Sequence, residues 1–332
     1  MRSKRERIPE EKTKQRTWRD YRVPGVSKAL TLAISLALVS ALFVSQAGAA
    51  GTTAADFLTL GAGARVEAMG SGGTAFASGA DAVCWNPAAL GRCTANEFSF
   101  SHAAWFAEID YEHVSLVHPL VDETSIAFSS SILHTGGIPR TLEDDYGIYK
   151  ETDGTFSYNA MAFISSVGRH IGQGIYLGAS AKFIYEDNAD ESAAGLAFDL
   201  GGLYISSDRR WSFGVAARNL GRGFKPRDAT DPLPSELAGG AAVALVDSAL
   251  VMSFDAALTT DAGTCFSWGA EHRLKGLLFV RAGYKTSTET TAHRGFTVGA
   301  GVIIAGLSID YAACDYQKLG LVHRFTLGIG GS

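Results

Sequence analysis

From Asn96 onward the chain alternates: apolar residues and small or polar ones change places step by step, in segments of about ten residues separated by Gly, Asp, Asn or Pro clusters. The segments fall at 97–106, 110–120, 123–134, 155–167, 174–186, 193–206 and 210–219, then 235–246, 249–259, 264–274, 276–286, 294–304, 306–314 and 318–330. A period of two is the period of a β-strand, so this stretch is read as about fourteen strands. An even number suits a closed barrel with both chain ends at one rim. Two longer connections, near 135–154 and 220–234, carry Asp144, Asp145, Pro226, Pro232 and Pro234 and are read as loops at one rim.

The charges test that reading, because a strand sends successive side chains to opposite faces. Leu196, Phe198 and Leu200 share a face and Asp199 lies on the other. Trp211, Phe213, Val215 and Ala217 oppose Arg218; Met252, Phe254, Ala256 and Leu258 oppose Asp255; Phe266, Trp268 and Ala270 oppose Glu271 and Arg273. Leu278, Val280, Ala282 and Tyr284 oppose Arg281, Leu307, Ile309 and Tyr311 oppose Asp310, and Leu321, Phe325, Leu327 and Ile329 oppose Arg324. A cation facing lipid at mid-depth costs about 2–4 kcal/mol, so selection against misplaced charge produces this sorting. A soluble sandwich also alternates, but it covers its outward face with many Lys and Glu residues. Here the set opposite the apolar one is mostly Gly, Ala, Ser and Thr with about one charge per strand. The expected fold is therefore an all-β, transmembrane antiparallel barrel. Trp105, Phe106, Tyr111, Tyr185, Tyr204, Trp211, Tyr284, Tyr311 and Tyr316 fall near segment ends, where an aromatic girdle sits.

Composition agrees: the chain is 46% hydrophobic and only 19% charged, with mean hydropathy +0.08. Beyond the first segment no apolar run reaches the roughly 20 residues of a helical span. That first segment is basic up to Lys28, apolar over 29–44, and then reads Gln46-Ala47-Gly48-Ala49-Ala50. It has the order of a secretory signal, residues 1–49, with cleavage near Ala49, and implies export to the outer membrane. It carries 10 Lys+Arg and 4 Asp+Glu, so the remainder keeps 19 against 30, a net of −11. An acidic exported chain is a poor nucleic-acid binder, since phosphate contacts need a basic surface.

Export permits disulfides, and Cys84 and Cys93 bracket a short loop at a spacing that allows one. The cysteines match no zinc spacing, so no metal is expected and no cofactor is implied. The eight histidines, His102, His113, His118, His134, His170, His272, His293 and His323, are scattered, and no Gly-x-Ser-x-Gly appears. The chain is read as a non-enzyme, with an outer-membrane lipid hydrolase as the weaker alternative.

Residues 54–92 do not alternate and are rich in Gly and Ala. The glycines at 61, 63, 70, 72 and 73 lack the Gly-Lys-Ser/Thr of a phosphate loop. Asn86-Pro87-Ala88-Ala89-Leu90-Gly91 is read as a short helix capped by Asn86, opened by Pro87 and ended by Gly91. The stretch Gly61-Ala62-Gly63-Ala64-Arg65…Ala68-Met69-Gly70, then Asp81-Ala82-Val83-Cys84-Trp85-Asn86-Pro87-Ala88, resembles the amino-terminal signature of the PorV/PorQ family. That family lies within the FadL-like outer-membrane proteins. Arg281-Ala282-Gly283-Tyr284, Gly299-Ala300-Gly301-Val302, Ile309-Asp310-Tyr311-Ala312 and Leu319-Gly320…His323-Arg324 continue the similarity.

The resemblance implies a barrel of fourteen strands (96–332) with an amino-terminal hatch or plug (50–95) inside it, the family motif falling on Asn86, Pro87 and Ala88. It also implies a non-enzymatic role: uptake of hydrophobic compounds, or type IX secretion with an exported cargo protein as partner. The expected partners are thus outer-membrane lipids and a hydrophobic small molecule or exported cargo; the oligomeric state is open. Asp199, Arg218, Asp255, Glu271, Arg281, Asp310 and Arg324 form a candidate lumen charge network that would hold the hatch.

Overall fold

The structure, a computed structural model, describes residues 53–189, 191–224, 230–245, 249–260, 263–288 and 295–330. The leader 1–49, Pro226 and His293 lie outside the described residues. Fourteen antiparallel strands close into a barrel in which every strand pairs with its sequence neighbours. They are β1 (Glu97–Ala104), β2 (Asp110–Pro119), β3 (Thr124–Glu143), β4 (Tyr149–Gly172), β5 (Ile175–Asn188), β6 (Glu191–Ile205) and β7 (Trp211–Leu220). The second half is β8 (Glu236–Leu245), β9 (Leu250–Thr259), β10 (Gly263–Leu274), β11 (Leu278–Ser287), β12 (Gly295–Ile304), β13 (Leu307–Asp315) and β14 (Leu321–Ile329). The seam joins β1 to β14 from Phe98↔Ile329 to Ala104↔His323, so no strand edge is left along the closed wall.

Because β1 begins and β14 ends at the same rim, that rim also carries the turns after even strands. These are short: only Gln173 and Gly174 separate β4 from β5, and only Ala305 and Gly306 separate β12 from β13. The opposite rim holds the longer connections, including the one between Leu220 and Glu236. We refer to the short-turn rim and the long-loop rim.

The alternation is realised as an apolar exterior. Leu196, Phe198 and Leu200 are 58%, 51% and 56% exposed while Asp199 between them is fully buried. The same holds for Phe325 and Leu327 about Thr326, and for Met252 and Phe254 about Ser253. Among the charges sorted by parity, Arg218, Asp255, Glu271, Arg281 and Arg324 are all buried inside. An outer surface of this composition matches lipid.

Two expectations need correction. The stretch near 135–154 is not a loop: β3 and β4 run on to 20 and 24 residues, well past their neighbours. β2 pairs with β3 only as far as His134, and β5 pairs with β4 only from Tyr158, so the outer parts of β3 and β4 pair with each other alone. Alternation survives poorly there because neither face of such a ribbon meets lipid or a core. Trp105 and Tyr316 line the lumen and join no girdle, and Tyr111 is not a girdle residue either. It points inward at 2% exposure, its hydroxyl donating to Ser131 Oγ at 3.2 Å and its ring 5.3 Å from the Arg324 guanidinium.

Candidate functional site

The lumen is filled by residues 53–96, folded as four short helical turns: Asp56–Thr59, Ala64–Glu67, Gly79–Cys84 and Pro87–Arg92. So many small residues cannot build a core of their own, and they bury themselves against the inner face of the wall. Ala62, Ala64, Ala68, Met69, Ala82, Val83, Ala88 and Leu90 are fully buried. The segment runs the depth of the barrel. Ala54 N–H donates to Pro232 O at the long-loop rim (2.9 Å), while Gly91 meets the backbone of Arg169 and His170 near the short-turn rim.

Its carboxy-terminal half is seated by close backbone contact. Asn86 is fully buried with extended backbone, its Oδ1 accepting from Ala88 N–H (3.1 Å), so it caps the turn that Pro87 opens. That turn is 3-10 and runs to Arg92, placing Gly91 inside it rather than at its end. Asn86 also does what capping alone does not require: its amide donates to Thr74 O (2.8 Å) in the hatch and to Gly202 O (3.1 Å) in β6. The wall accommodates the turn by lacking side chains. A Cβ on Gly178 would stand 2.3 Å from Pro87 C, one on Gly168 2.6 Å from Pro87 O, and one on Gly201 2.1 Å from Asn86 Oδ1. Three glycines on three adjacent strands therefore form a cradle for Asn86-Pro87-Ala88.

The amino-terminal half is seated in the same way, since a Cβ on Gly283 would stand 2.3 Å from Gly70 N, one on Gly269 2.5 Å from Met69 O and one on Gly214 2.1 Å from Thr74 O, and polar contacts hold it as well. Glu271 takes Arg65 Nε and Nη2 (2.8 and 2.7 Å) on one side and Arg281 Nε (2.7 Å) on the other, and Arg281 reaches Asp310 (2.6 Å). Arg324 donates to Gly61 O (2.9 Å) and Leu60 O (3.2 Å), and Asp255 Oδ1 accepts Thr74 N–H (2.8 Å). The carboxy-terminal half has such a contact too: Arg218, paired with Glu236, donates to Cys84 O and Trp85 O (3.2 and 3.0 Å). Wall hydroxyls complete the set: Thr326 Oγ1 accepts Ala64 N–H (2.8 Å), and Thr297 Oγ1 accepts Gly70 N–H (3.0 Å) and donates to Ala68 O (2.9 Å). A buried irregular segment must satisfy its backbone polar groups, and these wall Thr and Ser side chains do so.

Of the seven charges singled out from sequence, Arg218, Asp255, Glu271 and Arg324 thus touch the hatch, and Arg281 and Asp310 reach it through Glu271. Asp199 does not: it pairs with Lys182 at 2.8 Å and accepts Asn219 N–H, all within the wall. Sequence reasoning missed Arg65, Lys182 and Glu236. Each sits where an opposite charge falls on a neighbouring strand or on the hatch, a relation visible only once register is known.

Cys84 and Cys93 are not bonded to each other in this structure. The turn Pro87–Arg92 between them sends them to different neighbours. Cys84 Sγ lies 3.7 Å from the His113 ring nitrogens, and Cys93 carbonyl oxygen accepts from Ser125 Oγ. Burial pushes the Cys84 thiol up to about 12. It is therefore a protonated thiol at neutral pH, not an activated nucleophile.

A cavity of about 230 Å³ remains between the amino-terminal half of the hatch and the wall from β7 to β11. Asp56, Thr59, Trp105, Pro234 and Tyr316 line it near the long-loop rim; Thr74, Trp85, Asp255 and Ser267 line its depth. At its mouth Trp105 packs on Tyr316, with ring centroids 4.9 Å apart.

Structures of similar fold are known. The chain is similar to the Ralstonia pickettii toluene transporter TbuX at 17% identity, with a TM-score of 0.59 over 82% of this chain and 98% of that one. It is similar to the Pseudomonas putida toluene transporter TodX at 15% identity, TM-score 0.60, over 81% and 96%. It is similar to a Pseudomonas aeruginosa FadL homologue at 12% identity, TM-score 0.51, over 77% and 95%. At these identities the likeness establishes a FadL-like barrel fold. No protein-family model matches the sequence, and no curated protein matches it significantly.

Proposed function

We propose that the protein is an outer-membrane barrel that passes small hydrophobic molecules, with residues 50–95 as its hatch, 96–332 as its wall and 1–49 as a cleaved export signal. The observation that carries this reading is the cavity beside the hatch. Both halves of the hatch press onto wall glycines, and beside the amino-terminal half a cavity reaches the long-loop rim. Arg218, Asp255, Glu271, Arg281, Asp310 and Arg324 act as the holding network, and Asn86, Pro87 and Ala88 as the fixed pivot. Outer-membrane lipids cover the apolar exterior, which supports the location. Toluene is the compound named for TbuX and TodX, whose fold is similar, and a small hydrophobic compound of that kind is the ligand class this reading favours.

The test is uptake of labelled toluene by cells that carry or lack the gene. Faster entry in the carriers is expected; equal entry overturns the reading. If instead loss of the gene strands exported proteins with carboxy-terminal sorting domains in the periplasm, the secretion function implied by the PorV/PorQ resemblance replaces it. Ester hydrolysis by the purified protein would replace both.

A further inference from the structure

We infer that the lumen cavity is a binding site for an organic cation: a small amphiphilic amine whose ammonium group seats on Asp255. The inference rests on the passage reading and narrows its ligand class.

Asp255 stands on β9 with only 5% of its surface exposed. One carboxylate oxygen, Oδ1, accepts Thr74 N–H, but Oδ2 is buried without a hydrogen-bond partner, and the residue lines the cavity. A buried carboxylate oxygen left unpaired is costly, so the site calls for a donor. The cavity's charge identifies which donor. Asp56, Glu67, Glu236 and Asp255 line it against Arg218 and Lys285, and Arg218 is already engaged by Glu236 and by two hatch carbonyls. The remaining balance is negative, which favours a cation over a neutral donor and opposes an anion.

The aromatic lining supplies the rest of the recognition. Trp85 lies at depth, and Trp105 and Tyr316 stand near the mouth, so apolar ring faces flank the route to the carboxylate. Ring faces attract ammonium groups and also cover an apolar tail. Trp105 Nε1 is a second buried polar atom without a partner, which leaves a donor at the same mouth for an acceptor on the ligand. A plain hydrocarbon would satisfy neither Asp255 Oδ2 nor Trp105 Nε1.

The experiment measures binding to the full-length protein in neutral-lipid nanodiscs by tryptophan fluorescence. The probes are 2-phenylethylamine, its neutral counterpart 2-phenylethanol, and ethylbenzene. The amine is expected to bind about tenfold or more tightly than the alcohol, the advantage of a charge-assisted hydrogen bond. Asp255→Asn, which keeps an acceptor for Thr74, should bring the amine down to the affinity of the alcohol; Lys285→Gln should tighten the amine. Heat-modifiable migration confirms that each variant is folded. Equal binding of amine and alcohol to the wild type, or an amine preference that survives D255N, overturns the inference. If cells still take up ethylbenzene in that case, the passage reading stands without it; if they do not, the passage reading fails on its own account.

Discussion

The two halves of the hatch meet the same barrel by the same close packing, but the lumen cavity lies beside one of them. Residues 86–91 press onto Gly168, Gly178 and Gly201 in β4 to β6. Residues 61–74 press onto Gly214, Gly269, Gly283 and Gly299 and add polar contacts, Arg65 to Glu271 and backbone groups to Arg324, Thr297 and Asp255. The cavity lies beside this second half, against Gly72, Gly73 and Thr74. The contrast teaches that close packing on one side of a segment leaves its other side able to line a cavity. It also predicts that the half beside the cavity is the half that opens.

The largest effect should come from breaking the charged contact of the amino-terminal half. Glu271→Ala removes the carboxylate shared by Arg65 and Arg281 and leaves Arg281 buried with Asp310 alone. Removing one member of a buried pair costs about 3–5 kcal/mol, so hydrogen exchange in 61–70 should accelerate strongly while 79–92 stays protected. The carboxy-terminal half should yield to Gly178→Val. Its new side chain would meet Pro87 and Ala88, an overpacking cost of about 1–3 kcal/mol, read as protease sensitivity of 79–92 with 61–70 less affected. Asn86→Ala is smaller, about 1–2 kcal/mol, since it loses the cap of Pro87–Arg92 and the amide bonds to Thr74 and Gly202. If these variants loosened both halves equally, the distinction between them would be lost.

The smallest effect concerns Cys84, which lies in the carboxy-terminal half two residues before Asn86. With its thiol held up to about 12 by burial, iodoacetamide should label it far more slowly than a free cysteine, whose pKa is about 8.5, at any pH below about 9. Rapid labelling at neutral pH would show that the hatch leaves this position open to water.

The barrel was legible because lipid imposes a rule on every second residue. Asp199 between Phe198 and Leu200 states that rule in three letters, and fourteen segments repeat it. Where lipid does not reach, legibility ended. The outer parts of β3 and β4 carry no such constraint and read as a loop. The hatch gave its capping residues Asn86 and Pro87, because caps are local, but not its seat. Gly168, Gly178 and Gly201 look like ordinary small strand residues until register brings them under one turn. The same holds for Lys182 and Asp199, opposite charges on β5 and β6 that register sets diagonally, with Lys182 facing Ala197 and Asp199 facing Ser180. Long-range partners such as Arg65 with Glu271 are separated by too much chain for any spacing rule to join them.

The seating of the hatch is tested most directly by hydrogen exchange of the full-length protein in a lipid environment, followed by mass spectrometry of hatch and wall peptides. The account predicts three tiers. Peptides covering 79–92 should exchange as slowly as the strands β4 to β6 that cradle them, peptides covering 61–74 should be intermediate, and the outer ribbon of β3 and β4 should be fastest. Exchange of 79–92 as fast as that ribbon would contradict the account, because a segment wedged into three glycines cannot open freely.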